Sequence, residues 1–251
     1  MKRHILIVLA VASLACLSCR QNSLKYYDES YSALNIWFGT ESVIQDSITF
    51  NYAYTVLERD SVNFRARLTG MPSSSDRTFR LRAVEGDTDL VDFELQDYVL
   101  PAGAHEGTYP IFINVPKDFD CFKTGSGHVV FELEEGGAFL GGAQESCRLY
   151  LVLKNYLAKP DDWDSATYPY MSFQRYFGSY SDVKYAFIIQ QAGYSIFRIY
   201  YTMGTVELPD GEITSTVAAY LAMKCKLALA EYNDSHDEPL RDENGFEVVF
   251  P

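Results

Sequence analysis

The chain has 251 residues and a net charge of −13 at pH 7, with 21 basic residues against 34 acidic ones. A body this acidic disfavours nucleic acid and anionic membrane surfaces as partners. Hydrophobic residues make up 47% of the chain and aromatic residues 15%, which argues against a wholly disordered protein.

The N-terminus has the organisation of a bacterial lipoprotein signal. A charged start precedes an apolar run over 5–14, which is too short for a membrane-spanning helix of about 20 residues. A Leu-Ser pair then stands directly before Cys19, and it resembles the lipobox of Gram-negative lipoproteins. We therefore expect 1–18 to be a signal peptide and Cys19 to carry the lipid. Cys16 is an alternative acceptor, and an ordinary secretory signal is the alternative interpretation.

After this signal, residues 19–33 are polar and rich in tyrosine, which indicates a tether. From residue 34 the chain alternates hydrophobic and polar residues with a period of two, as strands with one face in water do. Clusters of Gly, Pro and Ser separate these stretches. The pattern predicts an antiparallel β-sandwich over 34–158. Its predicted strands are 34–38, 47–52, 62–68, 79–84, 109–115, 129–133 and 149–153.

The strand pattern ends at an acidic segment that follows Pro160, and 159–251 is predicted to be a smaller helix-containing region. The residues Ser179-Tyr180-Ser181-Asp182 match a capping box, and an apolar stripe at helical spacing then leads to Gly193, a natural helix stop. This combination predicts a first helix that ends at Gly193.

A second helix is predicted over 216–232, with Leu221 and Cys225 on its apolar stripe. The segment 195–206 fits either a strand or a helix. The end of the chain, 245–250, is predicted to be a strand that returns to pack.

With Cys19 assigned to lipid, three cysteines remain. Cys121 and Cys147 are candidates for a disulfide across one edge of the sandwich, with Cys225 buried in a helix. Three reduced, buried cysteines are the alternative. No spacing resembles a zinc or haem site, and we expect no cofactor and no metal.

A set of short motifs in a fixed order resembles a known family. The motifs are Asp76-Arg77-Thr78-Phe79, Pro101-Ala102-Gly103, Lys159-Pro160 with Trp163, and Gly178-Ser179-Tyr180-Ser181 with Lys184. With the lipobox and the Trp37-Phe38 strand, they are similar to a family of Bacteroidetes lipoproteins catalogued only as a domain of unknown function. The resemblance implies an envelope lipoprotein with an immunoglobulin-like N-terminal half and a helical C-terminal half. It also implies genes beside SusC/SusD-type glycan-uptake pairs, and it carries over no catalytic residues.

The resemblance leaves the membrane leaflet open. Surface-exported members of that phylum tend to carry acidic residues just after the lipid cysteine, whereas residues 20–23 here are Arg, Gln, Asn and Ser. We expect a lipid anchor in the outer membrane, on either its periplasmic or its cell-surface side.

Aromatic residues suggest a ligand site in the C-terminal region. Trp163, Tyr168 and Tyr170, with Tyr176, are candidates for a platform on which sugar rings stack. The alternative is that Trp163 fills the junction between the two halves, which is the commoner place for a large aromatic side chain.

Two acidic clusters are candidates for chemical sites. Asp161, Asp162 and Asp164 offer oxygen ligands for calcium, but the spacing of an EF-hand is missing, so a solvated loop is the better interpretation. Glu132 and Glu134 would lie about 7 Å apart on one face of a strand, within the range of glycosidase carboxylates. Because charged residues on the wet face of a strand give the same pattern, we predict no enzyme.

Taken together, these features predict a lipid-anchored, non-enzymatic envelope protein that binds polysaccharide or docks onto SusC/SusD-type partners. A structural or adhesion module that makes protein contacts is the alternative, and a glycoside hydrolase is less favoured.

Overall fold

Two β-sheets pack face to face in the N-terminal part of the chain, which a computed structural model describes over residues 32–117, 119–201 and 207–251. The predicted signal peptide, Cys19 and nearly all of the predicted tether lie outside these described residues. Within them, the first sheet has the strand order β11-β1-β4-β9-β7, with β2 paired to β1. These strands are β1 (Ala33–Gly39), β2 (Ile44–Gln45), β4 (Arg59–Thr69), β7 (Phe93–Glu94), β9 (Glu106–Asn114) and β11 (Leu140–Gly141).

The second sheet has the order β3-β12-β10-β6. It contains β3 (Ser47–Asn51), β6 (Leu81–Gly86), β10 (Gly127–Leu133) and β12 (Arg148–Lys154), while β5 (Arg77–Phe79) and β8 (Tyr98–Leu100) form a separate pair. Most neighbours are antiparallel, but β3 runs parallel to β12, and β11 runs parallel to β1. The β-sandwich predicted from the sequence is therefore confirmed, with parallel pairs that the pattern did not reveal.

Alternating residues of both sheets form the first hydrophobic core. In β4 the inward residues are Val62, Phe64, Ala66 and Leu68, and in β12 every second residue from Leu149 is fully buried. Each large apolar side chain that leaves water contributes about 1.5–3 kcal/mol. This alternation made the long strands predictable. The predicted strand 79–84 is interrupted at Arg80, and β2, β7, β8 and β11 were missed because two or three residues show no period.

The C-terminal region has its own core. Its elements are α1 (Phe173–Phe177), α2 (Asp182–Ala192), β13 (Arg198–Tyr200), β14 (Glu212–Thr214) and α3 (Ser215–Ser235), and β13 runs parallel to β14. Buried aromatic and aliphatic residues join them, among them Trp163, Phe173, Phe177, Tyr185, Ile188, Leu221 and Leu229. Tyr54, which belongs to the N-terminal part of the chain, also packs against this core.

Helix α2 begins two residues later than the predicted capping box implies. Its N-cap is Ser181, in an extended conformation, and the Ser181 Oγ accepts a hydrogen bond from the Lys184 N–H at 3.1 Å. The Glu243 carboxylate accepts a hydrogen bond at 3.0 Å from another N–H group of the first helical turn, that of Asp182. The helix ends as predicted at Gly193, which has φ 84° and donates its N–H to the Ile189 carbonyl.

Helix α3 confirms the second predicted helix and extends it at the C-terminal end, with Leu221 and Cys225 buried. The segment 195–206 was predicted to be either a strand or a helix, and its described part contains strand β13. Residues 202–206 lie outside the described residues. The strand predicted over 245–250 is wrong. The only pairing there in the described part of the chain is an isolated bridge between Arg241 and Glu247, and the tail packs instead through buried side chains, notably Phe250.

The three cysteines outside the signal are free, so the Cys121–Cys147 disulfide that the sequence left open is not formed in this structure. The alternative of three buried thiols is also only partly met, because Cys225 is buried while Cys121 and Cys147 are partly exposed. Burial raises the pKa of the Cys225 thiol to about 12.

Residues Ser32–Pro251 form one compact unit despite having two cores. The division into domains at 158/159 therefore stays a prediction. None of the helices that the structure describes combines the length and hydropathy needed to cross a bilayer.

Candidate functional site

The predicted aromatic platform is not assembled, because Trp163 is inside the second core. Only 1% of Trp163 is exposed; its ring stacks on Phe173 at 5.1 Å, and its indole N–H donates to the Gly178 carbonyl at 3.0 Å. The ring therefore has no free face for a ligand. The alternative, that Trp163 fills the junction between the two halves, is met only in part: the ring is buried, but its contacts are with Phe173, Tyr180 and Tyr185 of the C-terminal core.

Tyr168 and Tyr170 are on the surface, with 60% and 52% of each residue exposed. The ring of Tyr170 lies 5.4 Å from that of Tyr201, and the Arg175 guanidinium lies 4.7 Å from the Tyr170 ring centre. Tyr176 donates its hydroxyl to the Tyr170 carbonyl. The structure thus groups Tyr170 with Tyr201 and Arg175 rather than with Trp163.

A shallow, open depression, which we call the junction cleft, lies where the N-terminal part of the chain meets the second core. It holds about 480 Å³, within the range of about 300–1,000 Å³ typical of small-molecule sites. Four segments that are far apart in sequence supply its walls. They are Tyr54, the run 158–162, the pair Phe197 and Arg198, and the run 210–212.

Phe197 is the more exposed of the two aromatic residues that line this cleft. Its ring meets that of Tyr54 edge to face at 4.9 Å, and 47% of the residue remains exposed. Gly211 lies so close that a Cβ built there would be 2.5 Å from a Phe197 ring carbon. A second depression of about 470 Å³, which also contains Tyr194, shares Phe197 as a wall. The ring is therefore fixed in place and still accessible.

Charged side chains line the same cleft. The Arg198 guanidinium lies 3.7 Å from a carboxylate oxygen of Asp162 and 3.7 Å from one of Glu212. Half of the Arg198 side chain is exposed, and exposed ion pairs at such distances contribute little to stability. These groups are consequently free to exchange their mutual contacts for hydrogen bonds with a ligand.

Backbone hydrogen bonds hold the cleft walls together. The Phe197 N–H donates to the Gly211 carbonyl at 2.8 Å, beside the parallel pairing of β13 with β14. The Ser195 hydroxyl donates to the Tyr54 carbonyl at 2.6 Å, and the Ala158 N–H donates to the Tyr54 hydroxyl at 3.1 Å. The cleft is thus a feature of the folded framework rather than of one loop.

Two aspartates of the acidic loop considered as a calcium site form ion pairs with basic side chains of the protein. Asp164 pairs with Lys159 at 2.7 Å, and this hydrogen bond lowers the pKa of the Asp164 carboxyl. Asp162 pairs with Arg198. Among the described residues no group of three His, Cys, Asp or Glu side chains is arranged to hold a metal ion.

The glutamates considered as a catalytic pair do not share a strand in the structure. Glu132 pairs with Arg148 at 2.7 Å and faces Arg82 at 3.6 Å. Strand β10 ends at Leu133, so Glu134 falls outside the alternation that predicted a same-face pair.

Sequence reasoning missed Phe197, Arg198 and Glu212 as site residues. The dipeptide Asp210-Gly211, whose composition favours a turn, was the available signal, since a turn that follows the undecided apolar segment 195–206 marks a place where two stretches meet. No pattern in the sequence predicted that this turn lies near Tyr54 in the folded chain.

Solved structures with similar parts cover about half of this chain. A two-domain protein of unknown function from Bacteroides fragilis matches with 14% identity and a TM-score of 0.35, over 51% of this chain and 47% of that one. The calcium-binding domain CBD12 of CALX1.1 matches with 13% identity and a TM-score of 0.32, over 44% and 42%. EndoBT-3987 from Bacteroides thetaiotamicron, with a Man5GlcNAc product, matches with 8% identity and a TM-score of 0.35, over 49% and 32%.

The chain thus spans less than half the length of each of these structures, and at these TM-scores the likeness carries no argument about function. No curated protein matches the sequence. A family model described as Domain of unknown function (DUF4843) matches residues 27–194, which is about two thirds of the chain. The chain therefore belongs to the DUF4843 family, whose function is unknown.

Proposed function

We propose that this protein is a lipid-anchored component of the cell envelope that binds a neutral glycan in the junction cleft and does not transform it. The observation that carries the proposal is the Phe197 ring, which is held by Tyr54 and Gly211 yet is 47% exposed inside a cleft. The apolar face of a sugar ring packs well on such an aromatic surface.

The charged residues of the cleft supply the polar half of sugar recognition. Asp162 and Glu212 accept hydrogen bonds from hydroxyl groups, and Arg198 donates them. A neutral glycan is favoured over an acidic one because the cleft contains several carboxylates and the whole chain is at −13. In the cleft, the Asp162 and Glu212 carboxylates both lie beside the Arg198 guanidinium, which favours binding over acid–base catalysis.

The cellular setting of the proposal rests on the sequence. The lipobox before Cys19 supports an anchor, and the resemblance to Bacteroidetes lipoproteins supports a place beside a SusC/SusD-type uptake pair in the outer membrane. In this setting the protein is an accessory that holds polysaccharide near the uptake machinery, on either side of the membrane.

Affinity electrophoresis of the purified protein in gels that contain neutral polysaccharides tests the binding step. We expect retardation by at least one polysaccharide and a loss of about tenfold or more in affinity for Phe197→Ala. Tyr220→Ala removes an exposed aromatic side chain from α3, outside the cleft, and is the matched control. Absence of retardation by every glycan, or equal retardation of the wild type and Phe197→Ala, would remove the proposal.

Mass spectrometry of the protein recovered from membranes tests the anchor separately. We expect the mature chain to begin at Cys19 with a mass increase of fatty acyl groups on that residue. A mature chain without acylation at Cys19 or Cys16 would exclude the lipid anchor and leave the binding proposal to stand alone.

Docking onto a partner protein is the second candidate, and an exposed row on α3 favours it. Tyr220, Met223 and Leu227 are 65%, 69% and 67% exposed, and their spacing of three and four residues is that of a coiled-coil seam. Lys224 and Lys226 border the row but donate their ammonium groups to the Gln191 and Pro251 carbonyls, so the fitting partner is a helix that offers an apolar seam of its own.

Co-purification of the membrane-extracted protein with the SusC/SusD-type pair separates the two candidates. Loss of the pair from Leu227→Glu, together with no affinity for any glycan, would favour docking. Retention of the pair by Leu227→Glu would exclude this surface.

A further inference from the structure

Lys184 is buried without a counter-ion. Of the charged side chains in the described part of the chain, it alone is buried, with 5% of the residue exposed. Its Nζ donates to the Ser179 carbonyl at 2.7 Å and lies 5.8 Å from the centre of the Phe250 ring. It forms no salt bridge with the carboxylates of residues 32–117, 119–201 and 207–251. An ammonium group in this position is costly unless something pairs with it.

The side chain lines a cavity of about 420 Å³, which we call the Lys184 cleft. One wall is the turn 178–181 between α1 and α2, and the other is the C-terminal segment 246–251. The second wall is largely apolar, with Phe246, Val249 and Phe250 among its residues. The cleft is therefore a mainly hydrophobic space whose charged lining is one cationic group, Lys184, and two carboxylates, Asp242 and Glu247.

The acidic residues near this cleft already have partners. The Asp242 carboxylate accepts the N–H groups of Asn244 and Phe246, both at 2.9 Å. Glu247 pairs with Arg241, and Glu243 accepts from the N-terminal N–H groups of α2. Since the ammonium of Lys184 has three N–H donors and Ser179 uses one, the others are left for a ligand.

We propose that the Lys184 cleft binds a small organic monocarboxylate, with its carboxylate on the Lys184 Nζ and its apolar body against Phe246 and Val249. This site is separate from the junction cleft, and its ligand goes beyond the proposed function. A single negative charge fits better than a phosphate dianion because Asp242 and Glu247 also face the cavity. Burial lowers the pKa of Lys184 and Asp242 opposes this effect, so a bound carboxylate would raise that pKa.

Benzoate and its uncharged analogue benzamide are suitable probes, because they share one apolar body and differ in charge. We expect benzoate to shift the amide NMR signals of residues in 178–184 and 246–250 of the full-length protein. We also expect it to bind at least about tenfold more tightly than benzamide. Lys184→Met should lose this preference, whereas Lys117→Met, at an exposed lysine remote from the cleft, should retain it.

Equal binding of benzoate and benzamide, no saturable shift with benzoate up to about 10 mM, or an unchanged preference in Lys184→Met would overturn the proposal. If Lys184→Met does not fold, NMR titration of the wild-type Lys184 side chain decides the question. A pKa that rises when benzoate is added supports the site, and an unchanged pKa refutes it. A purely structural lysine would not respond to the probe.

Discussion

Replacing Gly211 with alanine tests the packing that holds the Phe197 ring open to solvent. Gly211 has φ +81°, a conformation that costs an L-residue about 1–2 kcal/mol. The new Cβ would also lie 2.5 Å from Phe197 Cδ2 and 3.2 Å from Cε2, so the ring must move by about 1 Å to reach ordinary contact distance.

The displacement of the ring adds a second cost. Movement away from Gly211 disturbs the edge-to-face contact with Tyr54, and such aromatic pairs contribute about 0.5–1.5 kcal/mol. We therefore expect Gly211→Ala to lower the free energy of unfolding by about 2–3 kcal/mol. Because the ring forms the floor of the junction cleft, glycan affinity should fall in the same variant.

Urea unfolding followed by circular dichroism measures this cost, and Gly193→Ala is the matched control. Gly193 has a similar φ of +84°, but no neighbouring atom lies within 4 Å of the position that an added Cβ would take, so this variant reports the backbone cost alone. In a Phe197→Ala background the cost of Gly211→Ala should drop by about 1 kcal/mol to that of the control. Equal costs for Gly211→Ala and Gly193→Ala in the wild-type background would refute the argument.

Three further outcomes are expected. Trp163→Ala should lower the free energy of unfolding by about 3–5 kcal/mol in urea titrations, because a fully buried ring is lost; a loss under about 1 kcal/mol would contradict its burial. Burial raises the pKa of Tyr52 from 10.0 to about 12, so this group should leave the free energy of unfolding unchanged with pH below pH 10. Between pH 10 and 12 the unfolded chain loses the Tyr52 proton more readily than the folded one, so the free energy of unfolding should fall as the pH rises, and urea titrations in this range measure the fall. Under native conditions without reductant, Cys121 and Cys147 should react with a thiol reagent while Cys225 does not until the chain unfolds; protection of the first two would restore the disulfide hypothesis.

The sequence predicted those parts of the fold that depend on local periodicity. The alternation through β4 and β12 and the stripe on α3 each reflect one buried face, which neighbouring residues along the chain reveal directly. The C-terminal tail shows no such periodicity of burial. Its apolar residues resemble those of a strand, but Val248 and Phe250 are buried as single side chains. Among the described residues, no partner strand extends the single bridge at Glu247.

The candidate site could not be predicted from neighbouring residues either, because it depends on contacts between residues that are far apart in the sequence. Whether Trp163 is buried depends on Phe173 and Tyr185, and whether Phe197 forms a cleft depends on Tyr54, more than a hundred residues earlier in the chain. Composition indicated that aromatic residues matter in this region. Only the tertiary arrangement determines which of them faces water.

The parallel pairing of β3 with β12 has a consequence for the order of assembly. Ser47–Asn51 finds its neighbour in a strand that ends at Lys154, so this sheet edge stays open until most of the chain is present. Pairing between such distant segments is slow, and an unpaired strand invites association with other chains. During synthesis the early strand has to stay unpaired until its late partner emerges, which makes the nascent polypeptide a natural client for a chaperone.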